Sequence, residues 1–344
     1  MPTSPARQHA IDASFDDRRQ HSDFTEKNHG RKSPAALAID TGHAGQRIDN
    51  FLIGRLKGVP RTHIYRILRR GEVRVNKGRI RPDYRLQAGD VVRVPPLRYA
   101  SPSTADDIPP EEKVLRRIQE AIIHEDAGLL VLNKPAGMAV HGGSGQRYGV
   151  IEALRALRPE APYLELVHRL DRETSGCLMI AGKRSVLRTL HEGLRQHQVD
   201  KRYLLLVAGP WQGKGRRVEM GLRKNVLRSG ERVVRQETGG KTSATHFRPL
   251  AVSPRASLLS AKTLTGRTHQ IRVHATALGH PVAGDDKYGD RAFNREMHRR
   301  GLNRLFLHAA SLDFRFRDTG KRLHVTSPLP EELARVLDVV GLAD

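Results

Sequence analysis

The chain of 344 residues holds a single cysteine, Cys177, which excludes an intramolecular disulfide and, with no second thiol near it, a cysteine-rich metal site. Long apolar runs are missing as well. No stretch of about 18 apolar residues occurs, and the opening MPTSPARQHA lacks the apolar segment of a secretory signal, so a reducing, cytoplasmic setting off the membrane is expected. Acids are scarce beside bases, 37 Asp and Glu against 60 Lys and Arg, leaving a net charge of +23. Such a field favours a polyanionic partner, with nucleic acid ahead of an acidic membrane. A phosphate-cradling nucleotide motif is also lacking. The Gly-rich run Gly142 to Gly145 has no following Lys-Ser/Thr and completes no dinucleotide fingerprint, so it reads as a flexible rim segment.

What is present begins after a tail. Residues 1–40 are polar, poor in large aliphatics and balanced in charge, and read as disordered. From Gln46 the text changes. Ile48, Phe51, Leu52 and Leu56 make one helical face, Pro60 opens a second helix, and Ile64, Ile67 and Leu68 line it. Gly71 ends that helix, and EVRVN and VVRV then read as short strands with tight connections at Lys77-Gly78 and AGD. Residues 47–98 carry fourteen basic side chains against four acidic ones, about two-fifths of the net charge in under a sixth of the chain. Arg66, Arg69 and Arg70 fall at i, i+3 and i+4 on one helix side, a comb for phosphates, with Arg61, Arg74, Lys77 and Arg79 as further contacts. This module, residues 45–97, resembles the S4 RNA-binding domain.

Residues 98–113, rich in Pro, Ser and acid, read as a linker, and a second domain is expected over 114–344. Its short strands, around Leu129 to Leu132, KRYLLLVAG, THFRPLAV, ASLLSAKTL, QIRVHATALG, FLHAASLDFRF and RLHVTSP, alternate with few long helices. SVLRTLHEGLRQHQ is one such helix, burying Leu187, Leu190 and Leu194. The pattern predicts an α+β domain on a largely antiparallel mixed sheet. At its centre, HRLDRETSG (168–176) is a charged loop between two short buried strands. Asp171, in apolar surroundings, needs a cation nearby. Tyr203 starts a buried strand, either as a core residue or projecting into a cleft. In TGRTHQIRVHATALGHP (265–281), read as extended, Gln270 and Arg272 share a face and Arg272 can meet a carboxylate across the sheet. His269, His274 and His280 have no acidic or thiol neighbour in that segment, which favours hydrogen-bonded or phosphate-facing imidazoles over a metal. Cys177 enters a buried strand and is a structural residue.

HRLDRETSG, KRYLLLV and TGRTHQIRVH with GHP and GDDKYGD, behind NKPAGMAVHGGSG and ahead of GLNRLFLHAA, resemble the RluA family of pseudouridine synthases. The resemblance implies a catalytic Asp171, attacking the uridine or helping remove a sugar proton. It implies Tyr203 stacking on the uracil and taking the C5 proton, Arg272 pairing with Asp171, Arg169 entering the helix as the base leaves, and Ile271 as an apolar wall. It further implies 23S ribosomal RNA, free or in a large-subunit assembly intermediate, as partner of a monomer. Breaking one N–C bond and rejoining the base through carbon involves no redox change or external group, so neither cofactor nor metal is expected. Two rivals stay open: a non-catalytic RNA-binding factor, which has no need of Asp171, Tyr203 and Arg272 together, and a glycoside hydrolase, which ordinarily needs two opposed carboxylates.

Overall fold

A computed structural model describes residues 35–56, 59, 61–97, 110–126, 128–142, 148–226, 232–316 and 319–343. The chain forms two compact units, divided after Ser103.

The first unit pairs two helices with a small antiparallel sheet. Strand β1 (Ala35–Ala38) precedes helices α1 (Ile48–Arg55) and α2 (Arg61–Arg69), then β2 (Arg74–Val75), β3 (Gly78–Arg79) and β4 (Val91–Val94), in the sheet order β1-β4-β2-β3. The expected tail is therefore shorter than 40 residues, since Ala35–Ala38 pairs along β4 and Ile39 is buried. Ile48, Phe51 and Leu52 of α1 pack against Ile64, Ile67 and Leu68 of α2 and against Val73, Val75, Val92 and Val94, which joins both helical faces to one side of the sheet. Gly71 ends α2 with φ +71°, a left-handed position that suits glycine. Pro60 lies outside the described residues. The turn between β2 and β3 is Asn76-Lys77, both at positive φ, the geometry of a two-residue hairpin.

The second unit opens with α3 (Glu112–Glu120), so that helix takes the last residues of the expected linker. It continues with β5 (Ile122–Asp126), β6 (Leu129–Lys134), α4 (Val150–Leu157), β7 (Glu165–Leu166), β8 (Ser175–Ala181), α5 (Arg184–Arg195) and β9 (Asp200–Ala208). Then come β10 (Arg216–Val226), β11 (Arg232–Gln236), β12 (Lys241–Val252), β13 (Ala256–Thr263), α6 (Gln270–Ala277), α7 (Arg291–Arg299), β14 (Leu307–Arg315), β15 (Arg322–Thr326) and α8 (Glu331–Val340). One mixed sheet results, ordered β11-β10-β12-β13-β9-β14-β8-β6-β5, with β15 on β14 and β7 on β8. Among the described residues only the β14–β8 pairing is parallel, as expected of a largely antiparallel α+β domain. QIRVHATALG is the exception to the strand reading: it is helix α6, not a strand. The Gly-rich run expected as a rim segment lies, from Gly143 on, outside the described residues.

The sheet positions the site through one row of its central strands. Gly176 of β8 faces Ala309 of β14, which faces Tyr203 of β9, which faces Ala261 of β13. Gly176 has φ +105°, and a Cβ there would stand 2.2 Å from the Ala309 carbonyl oxygen. Only glycine lets β8 approach β14 this closely, so the final Gly of HRLDRETSG fixes how near the loop comes to Tyr203. Among the described residues no helix is long and apolar enough to cross a membrane.

Candidate active site

Residues 167–174 form the loop between β7 and β8, as its flanking strands suggest. Three anchors hold it. The His168 ring accepts the Met179 N–H at Nε2 (3.2 Å), and burial pulls its pKa down to about 3, so it is a neutral acceptor at physiological pH. Thr174 N–H donates to the Asp171 carbonyl (3.1 Å), closing a tight turn. Beneath the turn, the fully buried Lys134 ammonium donates to the carbonyls of Pro135, Met138 and Arg172, at 2.8, 2.8 and 3.0 Å. Burial lowers its pKa to about 7, and the three carbonyls supply what water would. Ser175 adds a fourth tie, bonded to His308 Nδ1 (2.9 Å) and to the Arg304 guanidinium (2.6 Å).

Asp171 emerges from this loop with its side chain 20% exposed. Arg272 Nη1 lies 3.8 Å and His269 Nε2 4.0 Å from Asp171 Oδ2. Arg272 is shared, however. Its Nε and Nη2 donate to the two oxygens of Asp285, both at 2.7 Å, and this bidentate pair is buried. Burial opposes both charges, yet the paired hydrogen bonds and opposite charge outweigh it: the Asp285 pKa is lowered and that of Arg272 raised. The Tyr288 ring lies 5.0 Å from the Arg272 guanidinium carbon, and its hydroxyl bonds His269 Nδ1 (2.8 Å) and accepts the Val234 N–H (2.8 Å). When Tyr288 donates to Nδ1, Nε2 carries the ring proton toward Asp171.

Tyr203 is 9% exposed and lines, with Asp171, a cavity of about 690 Å³. Burial first, and the Asp171 charge second, push its phenol pKa up, so the ring enters any reaction as a neutral phenol. Arg169 and Ile271 line the same cavity. Arg169 is exposed and meets no carboxylate among the described residues, whereas Ile271 is buried on α6. Asp171 and Arg272 also border a second cavity of about 1040 Å³, whose rim carries Arg172, Lys287, Arg295 and Arg299.

The five residues expected from the sequence thus converge on one cavity, although Arg272 does so from a helix rather than by alternation on a strand. On that helix Gln270 turns away from Arg272. Its amide bonds the Ala244 carbonyl, Thr245, Thr265 and the Arg267 N–H, which pins the turn before α6. The three histidines separate: His269 faces Asp171, His274 is buried against Ser243, and His280 stacks on Trp211. A phosphate-facing role does not fit His274, which is fully enclosed. Cys177 is fully buried, and burial pushes its thiol up to about 12. Asp285 and Lys134 went unseen. GDDKYGD and NKPAG hold them, but nothing local marks either as buried.

In the first unit Arg66, Arg69 and Arg70 are exposed along α2, while Lys77 and Arg79 are exposed and Arg74 half-buried on the β2–β3 hairpin. Arg79 lays its side chain against Gly71, with Nε 2.9 Å from where a Cβ would stand, and so joins Arg69 and Arg70 at the C-terminal end of α2. The Arg61 side chain lies outside the described residues.

Residues 128–277 match the family model of RNA pseudouridylate synthase, and residues 46–92 match the S4 domain. The ribosomal large subunit pseudouridine synthase C of Pasteurella multocida is 55% identical over 301 residues, covering 88% of this chain and 92% of the relative. The chain belongs to the RNA pseudouridylate synthases. Another relative, the ribosomal large subunit pseudouridine synthase C of Escherichia coli K12, is 54% identical over 303 residues, covering 88% and 95%. The solved human RNA pseudouridylate synthase domain containing 4 shares the fold, with TM-score 0.56, 24% identity and coverage of 67% of this chain and 96% of its own. Human RNA pseudouridylate synthase domain containing 1 matches with TM-score 0.51 and 27% identity over 61% and 83%. The protein is therefore an isomerase that forms pseudouridine, fronted by an S4 domain.

Proposed function

We propose that the chain converts specific uridines of 23S ribosomal RNA to pseudouridine in the cytoplasm, with Asp171 as the catalytic residue and the target base flipped from its helix. The reading is supported above all by one juxtaposition: a single carboxylate, Asp171, beside a buried arginine and lining one cavity with Tyr203. The names of the relatives support the choice of RNA.

Uridine must lose its C1′–N1 bond, turn, and gain a C1′–C5 bond while a proton leaves C5 and another joins N1. A stacked base exposes none of these atoms, so flipping precedes chemistry at about a few kcal/mol. Arg169 would fill the gap, where its exposed guanidinium can stack and contact phosphate. The uracil would lie on the Tyr203 ring with Ile271 as an apolar wall. Asp171, with the Arg272 guanidinium 3.8 Å away, acts on the sugar, by attack at C1′ or by proton removal. Because Tyr203 starts as a neutral phenol, it takes the C5 proton only by handing its own on in the same step. The S4 unit contributes affinity through Arg61, Arg66, Arg69, Arg70, Arg74, Lys77 and Arg79.

Asp171→Ala should abolish pseudouridine formation on transcribed 23S RNA while leaving RNA affinity within about threefold, because exposed phosphate contacts carry that affinity. Full activity in this variant would sink the mechanism. Mapping pseudouridines in cells lacking the protein identifies the uridines.

A further inference from the structure

Lys201 has no task in the chemistry above, yet it is as unusual as any residue in the cavity. It sits on β9 two residues before Tyr203, so both side chains leave the same face of the strand. Only 9% of it is exposed, and it lines the 690 Å³ cavity. Its Nζ lies 3.9 Å from where a Cβ on Gly266 would stand, facing the turn that carries Arg267.

What this ammonium lacks is a partner. Among the described residues no carboxylate stands within salt-bridge distance of it and no carbonyl or hydroxyl accepts from it. Lys134 makes the contrast, more deeply buried but satisfied by three carbonyls. Enclosed cations are ordinarily paired, because desolvation without a counter-charge is costly. Burial alone pulls the Lys201 pKa down, to about 8, which leaves most of the population charged at neutral pH. The same cavity lining supplies Arg169, Arg267 and Arg195, the last paired with Glu192, and its one acid, Asp171, is already engaged by Arg272. A desolvated, unpartnered cation among further cations is a seat for an anion.

We propose that Lys201 anchors a phosphate oxyanion of the bound RNA strand, next to the uridine held at Tyr203, with Arg267, on the turn that Lys201 faces, as the second contact. The assignment rests on the uridine-isomerase reading of the same cavity. Two residues along a strand span roughly 6.6 Å, so a base on the Tyr203 ring brings its own backbone within reach of Lys201. The contact holds alike before and during the reaction, so its loss should appear in KM.

The test uses the full chain, transcribed 23S RNA, and a synthetic RNA oligonucleotide spanning the uridine that the wild type modifies. Lys201→Met should lower kcat/KM about tenfold through KM and flatten the slope of log affinity against log salt by about 0.7, the share of one phosphate contact on a single strand. Lys201→Arg should recover most of the loss. Neutral methylphosphonates placed one at a time in the oligonucleotide should reveal one position beside the uridine that costs the wild type about tenfold and Lys201→Met several-fold less, the remainder being the Arg267 contact. An unchanged salt slope in Lys201→Met, or methylphosphonates that penalise both proteins equally, would overturn the proposal. If Lys201→Met does not fold, the wild-type scan decides alone: no penalty at any phosphate flanking the uridine rejects it. A wild type that makes no pseudouridine on the transcript would instead sink the underlying activity, a separate outcome.

Discussion

Asp285→Asn separates the two duties of Arg272. In the native site Asp285 Oδ1 accepts Arg272 Nη2 and also the N–H groups of Lys287 and Tyr288, at 2.9 and 3.0 Å. Asparagine keeps that acceptor, so the 285–288 turn survives. What disappears is the negative charge and the acceptor for Arg272 Nε, since an amide NH₂ now faces a donor. Removing one partner of a buried ion pair costs about 3–5 kcal/mol. The freed guanidinium still lies 3.8 Å from Asp171 and can turn onto it, which sets the expectation at the low end, about 3 kcal/mol. Urea unfolding followed by Trp211 reads this out. Trp211 is the sole tryptophan, is buried against Phe247, and belongs to the second unit. The midpoint should fall with an unchanged denaturant slope. The sign with pH follows from a carboxylate pKa that is lowered on folding. Such a group contributes stability above its unfolded pKa, about 3.9, and loses it as pH falls through the folded value. The gap between wild type and Asp285→Asn should therefore be full at neutral pH and close in acid. A loss under about 1 kcal/mol, the range of an exposed pair, or a gap that widens in acid, would refute the assignment of this pair as a buried anchor.

Two further perturbations probe other parts. Replacing Arg66, Arg69 and Arg70 together by Ala should weaken RNA binding and flatten its salt dependence by about two units, as three lost phosphate contacts require, and an unchanged slope in filter binding would reject them as contacts. Gly176→Ala places a Cβ against the Ala309 carbonyl at a left-handed φ, so thermal unfolding should show about 2–5 kcal/mol lost, whereas a loss below 1 would mean that β8 and β14 can part cheaply.

Much of this organisation is legible in the sequence where local rules govern. The faces of α1 and α2, the glycine ending α2 and the strands flanking HRLDRETSG all follow from periodicity and turn residues. Helix α6 does not. Gln270 to Ala275 are all buried, so the segment has no polar face and shows no 3.6-residue rhythm, while its β-branched residues suggest a strand. Strand β1 hides for a related reason: AALA has helix-forming residues, and only pairing with β4 makes it a strand. At the site, Asp171, Tyr203 and Arg272 stand in quotable motifs. The Asp285 partnership does not, because it depends on α6 and the 284–289 turn meeting in space.

The parallel pairing of β8 with β14 joins Ser175 to His308, 133 residues apart, and Arg304 reaches the same serine from 129 residues away. Seen as a matter of timing during synthesis, this means that the Asp171 loop is made long before the strand that seats it. The S4 unit can fold as soon as it emerges, since domains fold in order from the N-terminus. The isomerase site must wait for residues 304–309. A nascent chain would thus hold RNA-binding capacity well before it holds the power to modify, since non-local pairings of this kind form slowly.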